Sequence, residues 1–144
     1  MEDSGLQVLQ TYTLQLTLCN QTQIDAIYAW EASPIAATTF WKTVPKQFIG
    51  KLVYHNVPVS SQIGDAHNPF TVVKRVAKQH DYVTFKLDVD TPSVEQPLFK
   101  QLANDEELLS LIDEFIYEDH TKNVALASNW GMYIICFSQG CKSD

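Results

Sequence analysis

Three stretches of this 144-residue chain carry side chains whose types and spacing suit chemistry, and each closes a short apolar run. Glu31 ends IDAIYAW and precedes Ser33-Pro34. An acidic residue after a strand of a nucleotide-binding sheet is the usual ligand of ribose hydroxyls, because a carboxylate accepts both hydroxyl protons. The plainer role is a loop carboxylate capping the turn at Pro34. Asp88 and Asp90, in KLDVDTPSVE, alternate about Val89, so a regular strand points both to one face. Two carboxylates beside an apolar core are costly unless they meet a cation, a donor or share a proton. Asp90 is also placed to cap a helix beginning near Pro92. The third stretch, EFIYEDH, contributes Glu114, Glu118, Asp119 and His120. Asp88, Asp90, Glu118 and His120 together have the ligand chemistry of a divalent-cation site. They lack a compact signature such as His-Glu-x-x-His.

These residues need a scaffold that brings strand ends together. Ile24–Trp30, Leu52–Val59, Tyr82–Val89 and Ile112–Tyr117 are rich in Val, Ile, Tyr and Phe, which suits strands. Phe70, Val73, Val76 and Ala77 form a helical stripe opened by Asn68 and Pro69. Lys74, Arg75 and Lys78 then lie near that helix's C-terminus, where cations suit its dipole. Val94, Leu98, Phe99 and Leu102 make a second stripe opened by Thr91-Pro92, and EELLSL a third helix capped by Asn104 or Asp105. Thr38–Phe48 holds one or two short turns around Pro45. Strands alternating with helices predict βαβ units and a mainly parallel sheet, with ligands beyond the carboxyl ends of the strands. Residues 4–18 fit either a helix, through Leu6, Leu9, Thr13 and Leu16, or a strand over Thr11–Leu18.

Composition removes several classes. With 45% apolar and 19% charged residues the chain is expected to fold rather than stay disordered. Its formal net charge of −7 is concentrated: residues 81–120 hold eleven Asp/Glu and two Lys/Arg. No Lys/Arg cluster exists beyond Lys74, Arg75 and Lys78, so a nucleic-acid partner is not expected. No apolar run nears the roughly 20 residues of a membrane span. The acidic, polar start MEDSGLQVLQ is unlike a secretory signal, and the expected location is cytoplasmic. Cys19, Cys136 and Cys141 have no zinc-knuckle spacing and read as reduced thiols. Asn20-Gln21-Thr22 matches a glycosylation acceptor, a short pattern that matters only with a secretory route. His55, His67 and His80 are isolated in the sequence and read as surface or packing residues. No Gly-x-Ser-x-Gly elbow is present.

Taken in order, IYAWE, FWKTVP, YHNVPVS, KLDVDTPSVE and LIDEFIYEDH resemble an algal and protist group of methyltransferase-like domains. These are similar to the FkbM-type branch of class I S-adenosylmethionine-dependent methyltransferases. The resemblance spans roughly residues 5–130. It implies an α/β, Rossmann-like, mainly parallel sheet with flanking helices in a single domain over residues 1–144. It further implies S-adenosylmethionine as cofactor and O-methylation of a small-molecule or glycan-like acceptor. By position, Glu31 takes the ribose hydroxyls, with Trp30 beside it in the adenosine pocket and Asp65 on the adenine side. Asp88 and Asp90 become the catalytic pair beside the acceptor, and Glu114, Glu118 and His120 lie on the acceptor side. The family's first strand and glycine-rich loop have no counterpart, since only four residues precede Gly5. That strand lies at the centre of the family's sheet, between the second and the fourth strands. The expected sheet is therefore incomplete, unless Thr11–Leu18 fills the gap. Two further expectations follow: a non-catalytic interaction module, and a homodimer burying the apolar surface of a broken sheet.

Overall fold

The computed structural model describes residues 24–89, 91–117 and 132–138. In order they form β1 (Ala26–Glu31), α1 (Ala37–Thr43), a 3-10 turn (Lys46–Phe48), β2 (Leu52–His55) and α2 (Pro69–Val76). Then come β3 (Tyr82–Leu87), α3 (Pro92–Ala103), α4 (Glu106–Leu111), β4 (Glu114–Tyr117) and β5 (Met132–Ser138). The chain is thus mixed α/β, as its alternating patterns predict.

The strands join in one sheet of order β2-β1-β5-β3-β4. β1 pairs parallel with β2, Ile27 opposite Leu52, and β3 pairs parallel with β4, Thr84 opposite Glu114. β5 lies between the two pairs and is antiparallel to both, Cys136 facing Ile27 on one side and Thr84 on the other. This corrects two expectations. The sheet is mixed rather than mainly parallel, with two parallel and two antiparallel pairings. The position between β1 and β3 is filled by MYIICFS, from the C-terminal part of the chain, and not by Thr11–Leu18. Residues 1–23 themselves lie outside the described residues.

Alternation along each strand sorts the core into two layers. Trp30, Val83, Phe85 and Leu87 face Phe70 and Val73 of α2, Leu98 and Leu102 of α3, and Leu108 and Leu111 of α4. The Phe70 and Phe85 rings stack with centroids 4.9 Å apart. Ile27, Ala29 and Leu52 face the other way, against Phe40, Val44 and Phe48. Coverage on both faces explains why the strand segments read as almost continuous apolar runs.

The helix starts follow local chemistry. Asn68 Oδ1 accepts from the Phe70 amide at 2.9 Å, and Pro69 needs no acceptor at the first helical position. Asp105 Oδ1 accepts from the Leu108 amide at 3.1 Å and caps α4. α3 departs from this pattern. Thr91 makes no side-chain cap bond, and Glu95 in the first turn instead accepts from the Val89 amide at 2.8 Å. β2 stops at His55, four residues before the run LVYHNVPV ends. Asn56 turns away to serve the loop after β1, and Pro58 has no amide to give a ladder.

Candidate functional site at the carboxyl edge

Strands β1 to β4 share one direction, so their carboxyl ends meet along one edge of the sheet, with the Met132 end of β5 between them. Glu31, His55, Asp88 and Tyr117 are delivered to that edge. Continuing the alternation of β1, β2 and β3 puts Glu31, Tyr54, Lys86 and Asp88 on the α1 face. Trp30 and His55 point to the opposite face.

Glu31 is buried. Its Oε1 accepts from the Ser33 amide at 2.7 Å, so the carboxylate caps its own turn. Burial raises its pKa above the usual carboxylate range, against the lowering effect of bonds from Ser33 and Ala32. Asn56, which the sequence did not single out, organises this turn. Its Nδ2 donates to the Glu31 and Ser33 carbonyls at 2.8 and 2.7 Å, and its Oδ1 accepts from the Ile35 amide at 2.9 Å. Tyr54 was also missed. Its ring stacks on Phe40 at 3.6 Å, and its hydroxyl is buried with no hydrogen-bond partner among the described residues. Burial, and then the Glu31 carboxylate, push that hydroxyl up to about 12. Tyr54 gains its place from the parallel pairing of β2 with β1, which no local pattern announces.

Asp88 meets a cation. Its Oδ2 lies 2.8 Å from Lys86 Nζ. Thr84, on the same face, donates to Glu114 Oε2 at 3.1 Å. Glu114 opens β4 and so sits three residues below Tyr117, roughly 10 Å from the carboxyl edge. The structure therefore does not bring Glu114 beside Asp88. Asp65 lies in the loop between β2 and α2, where Oδ1 accepts from the His67 amide at 2.7 Å. Trp30 lies in the core on the face opposite Glu31, stacked on His55 with centroids 5.0 Å apart, and its Nε1 has no partner among the described residues. Asp90, Glu118, Asp119 and His120 fall outside the described residues. Among the described residues no group of three or more His, Cys, Asp or Glu is placed to hold a metal ion. No helix among them is long and apolar enough to cross a membrane.

Compared with family models, with curated proteins and with solved structures, the chain matches none of them. The functional reading therefore rests on the carboxyl edge itself. That edge offers a buried carboxylate on β1, a buried hydroxyl on the same face of β2, and an ion pair on β3.

Proposed function

We propose that the chain is a Rossmann-like domain of the S-adenosylmethionine-dependent methyltransferase type, with O-methyl transfer to a small-molecule or glycan-like hydroxyl as its reaction. The observation that carries this reading is the Glu31–Tyr54 pair. A carboxylate that accepts and a hydroxyl with a proton to give, on one face of two paired strands and close enough for the carboxylate to act on the hydroxyl, suit the vicinal hydroxyls of a ribose. Such a pair fits an adenosyl cofactor. Glu31 and Tyr54 would hold the ribose, and the turn clamped by Asn56 would border it.

The cofactor, when bound, supplies an electrophilic methyl on sulfonium. The chain's own work is then orientation. Asn56 fixes the Glu31 turn before any ligand arrives, which lowers the entropy lost on binding. Lys86 holds the Asp88 carboxylate at the edge of β3, where it is set to accept from an acceptor hydroxyl and steer its proton. β1 and β3 flank β5, so the two groups stand about 10 Å apart, two strand spacings, along the same edge of the sheet.

Calorimetric titration with S-adenosylmethionine tests the reading. Binding at micromolar concentrations is expected, weakened about tenfold in both Glu31→Gln and Tyr54→Phe, the loss of roughly one hydrogen bond. No heat at high micromolar ligand, from a chain shown to be folded, would rule the reading out.

A second reading is favoured by one specific observation. The central strand β5 is antiparallel, so it enters the carboxyl edge at Met132 rather than leaving it through a loop into a helix. A cofactor site of this class draws its phosphate- or carboxylate-binding amides from such a strand, loop and helix. Among the described residues the central strand has no such loop and helix, which favours a non-catalytic interaction module that keeps the sheet, and the same titration separates the two readings.

A further inference from the structure

Two histidines that stand apart in the sequence meet in the fold. His55 is the last residue of β2, and His67 immediately precedes the Asn68 cap of α2. The loop 56–68 between them folds back so that the two rings approach edge to face, with centroids 5.8 Å apart and planes at 73°. His55 in turn lies flat on Trp30, at 5.0 Å and 19°. The Trp30 residue is only 1% exposed, so this stack sits on the β1 core. We propose that His55 and His67 form an acid-sensitive latch, which holds the loop 56–68 over Trp30 while His55 is uncharged and releases it when His55 takes up a proton.

The groups facing His55 make it a point of weakness in acid. From α2 it faces Arg75, from the loop His67, and from β1 the uncharged indole of Trp30. The loop carboxylate Asp65 has its Oδ1 on the His67 amide. A proton on His55 thus lies beside the Arg75 guanidinium and a second imidazole, inside a partly desolvated contact. Burial first, then His67 and Arg75, hold His55 below the usual histidine range. His67 Nδ1 is itself buried, with no hydrogen-bond partner among the described residues, and so makes no bond that fixes it against His55. Separating the rings relieves the cost of a charge on His55 in that contact.

The other ties of the loop do not titrate in this range. The Ser60 amide donates to the His67 carbonyl at 2.9 Å, and Asn68 Nδ2 donates to the Gln62 carbonyl and to Gln101 Oε1, both at 3.0 Å. Gln101 Nε2 donates back to the Ser61 carbonyl. These bonds fasten the loop to α3, Asn56 ties its first residue to the turn after β1, and the histidine contact is the fastening over Trp30 that depends on a proton at His55. The sign follows from the direction of the shift. A histidine held below its unfolded value contributes stability above that value, and the contribution is lost as pH falls through the folded one. This inference is independent of what the carboxyl edge binds.

The test uses the full chain with Trp41→Phe and Trp130→Phe, so that Trp30 alone emits, titrated from about pH 8 to about pH 4.5. The expected result is a reversible change in Trp30 emission with its midpoint below the ordinary histidine value of about 6.5, while the far-ultraviolet circular dichroism holds steady. The transition should vanish in His55→Gln and move up towards the ordinary value in His67→Gln, which removes the facing imidazole. Proton NMR of the His55 ring in the otherwise unaltered chain reads the same equilibrium if His55→Gln fails to fold. A transition that survives in His55→Gln, a His55 midpoint unmoved by His67→Gln, or no change before global unfolding would overturn the latch.

Discussion

The ammonium of Lys86 stands 2.8 Å from the carboxylate of Asp88, and the two side chains are 7% and 14% exposed. Neighbouring strand positions of β3 carry Val83, Phe85 and Leu87, all fully buried. Lys86 points to the other face of the strand, and Asp88 at the strand's end gives its largely buried charge a counter-ion. The dense acidic motif after β3 thus has a structural task before any ligand is considered.

Breaking that pair one side at a time should be expensive. Asp88→Asn or Lys86→Met each removes the 2.8 Å salt bridge of a largely buried charge, and about 3 kcal/mol of lost stability is expected. The double variant should recover much of the loss, because no lone charge remains. Urea denaturation of the three variants measures this, and a double variant no better than the singles would contradict it.

Glu31→Gln separates the structural from the binding role of that residue. Gln keeps an acceptor for the Ser33 amide and removes the charge that burial opposes. An acid whose folded pKa is raised favours folding fully below its unfolded value, and that gain is lost as pH rises through the folded value. The variant should therefore be at least as stable as the wild type at neutral pH, with a flatter stability profile across the acid range above pH 4. Thermal unfolding at several pH values tests the point. Destabilisation at neutral pH would show that the charge itself is needed.

Asn56 holds three bonds to the turn after β1, and its removal should be felt there. Asn56→Ala is expected to cost about 2–3 kcal/mol, three neutral hydrogen bonds at roughly 1 kcal/mol each. Amide exchange should quicken at Ile35, whose N–H loses its acceptor. A variant within 0.5 kcal/mol of wild type would mean that water replaces the side chain without loss, at about the scale of an ordinary surface substitution.

Two phenylalanines test where the core lies. Phe85 is 0% exposed between Phe70 and Phe115, whereas Phe99 on α3 is 49% exposed. Phe85→Ala should cost about 3–5 kcal/mol, and Phe99→Ala no more than about 1. Comparable losses at the two positions would contradict the layer assignment.

Much of the fold was legible where local chemistry dictates it. Asn68-Pro69 and Asp105-Glu106-Glu107 announced α2 and α4 because a cap side chain and a proline or acidic first turn satisfy orphan amides without outside help. MYIICFS has β-branched and aromatic content that suits a strand. Its central, antiparallel place was not legible, because periodicity says nothing about which strand pairs with which. The site was less legible. Glu31 was found through its strand-end position, but Asn56 and Tyr54 carry no motif of their own. Their importance comes from the parallel pairing of β1 with β2. His55 and His67 read as isolated residues for the same reason, since a folded-back loop joins them.

The sequence by itself determined the alternation of strands and helices, most of the element starts, and a set of carboxylates gathered at strand ends. Those follow from side-chain periodicity and from hydrogen bonds made within a few residues. Only the tertiary structure decided that Asp88 would be met by Lys86, that Glu31 would share its face with Tyr54, and that β5 would run against its neighbours. Such relationships depend on pairing between segments far apart in the chain, and pairing is settled by the burial of whole faces rather than by any one residue's preference.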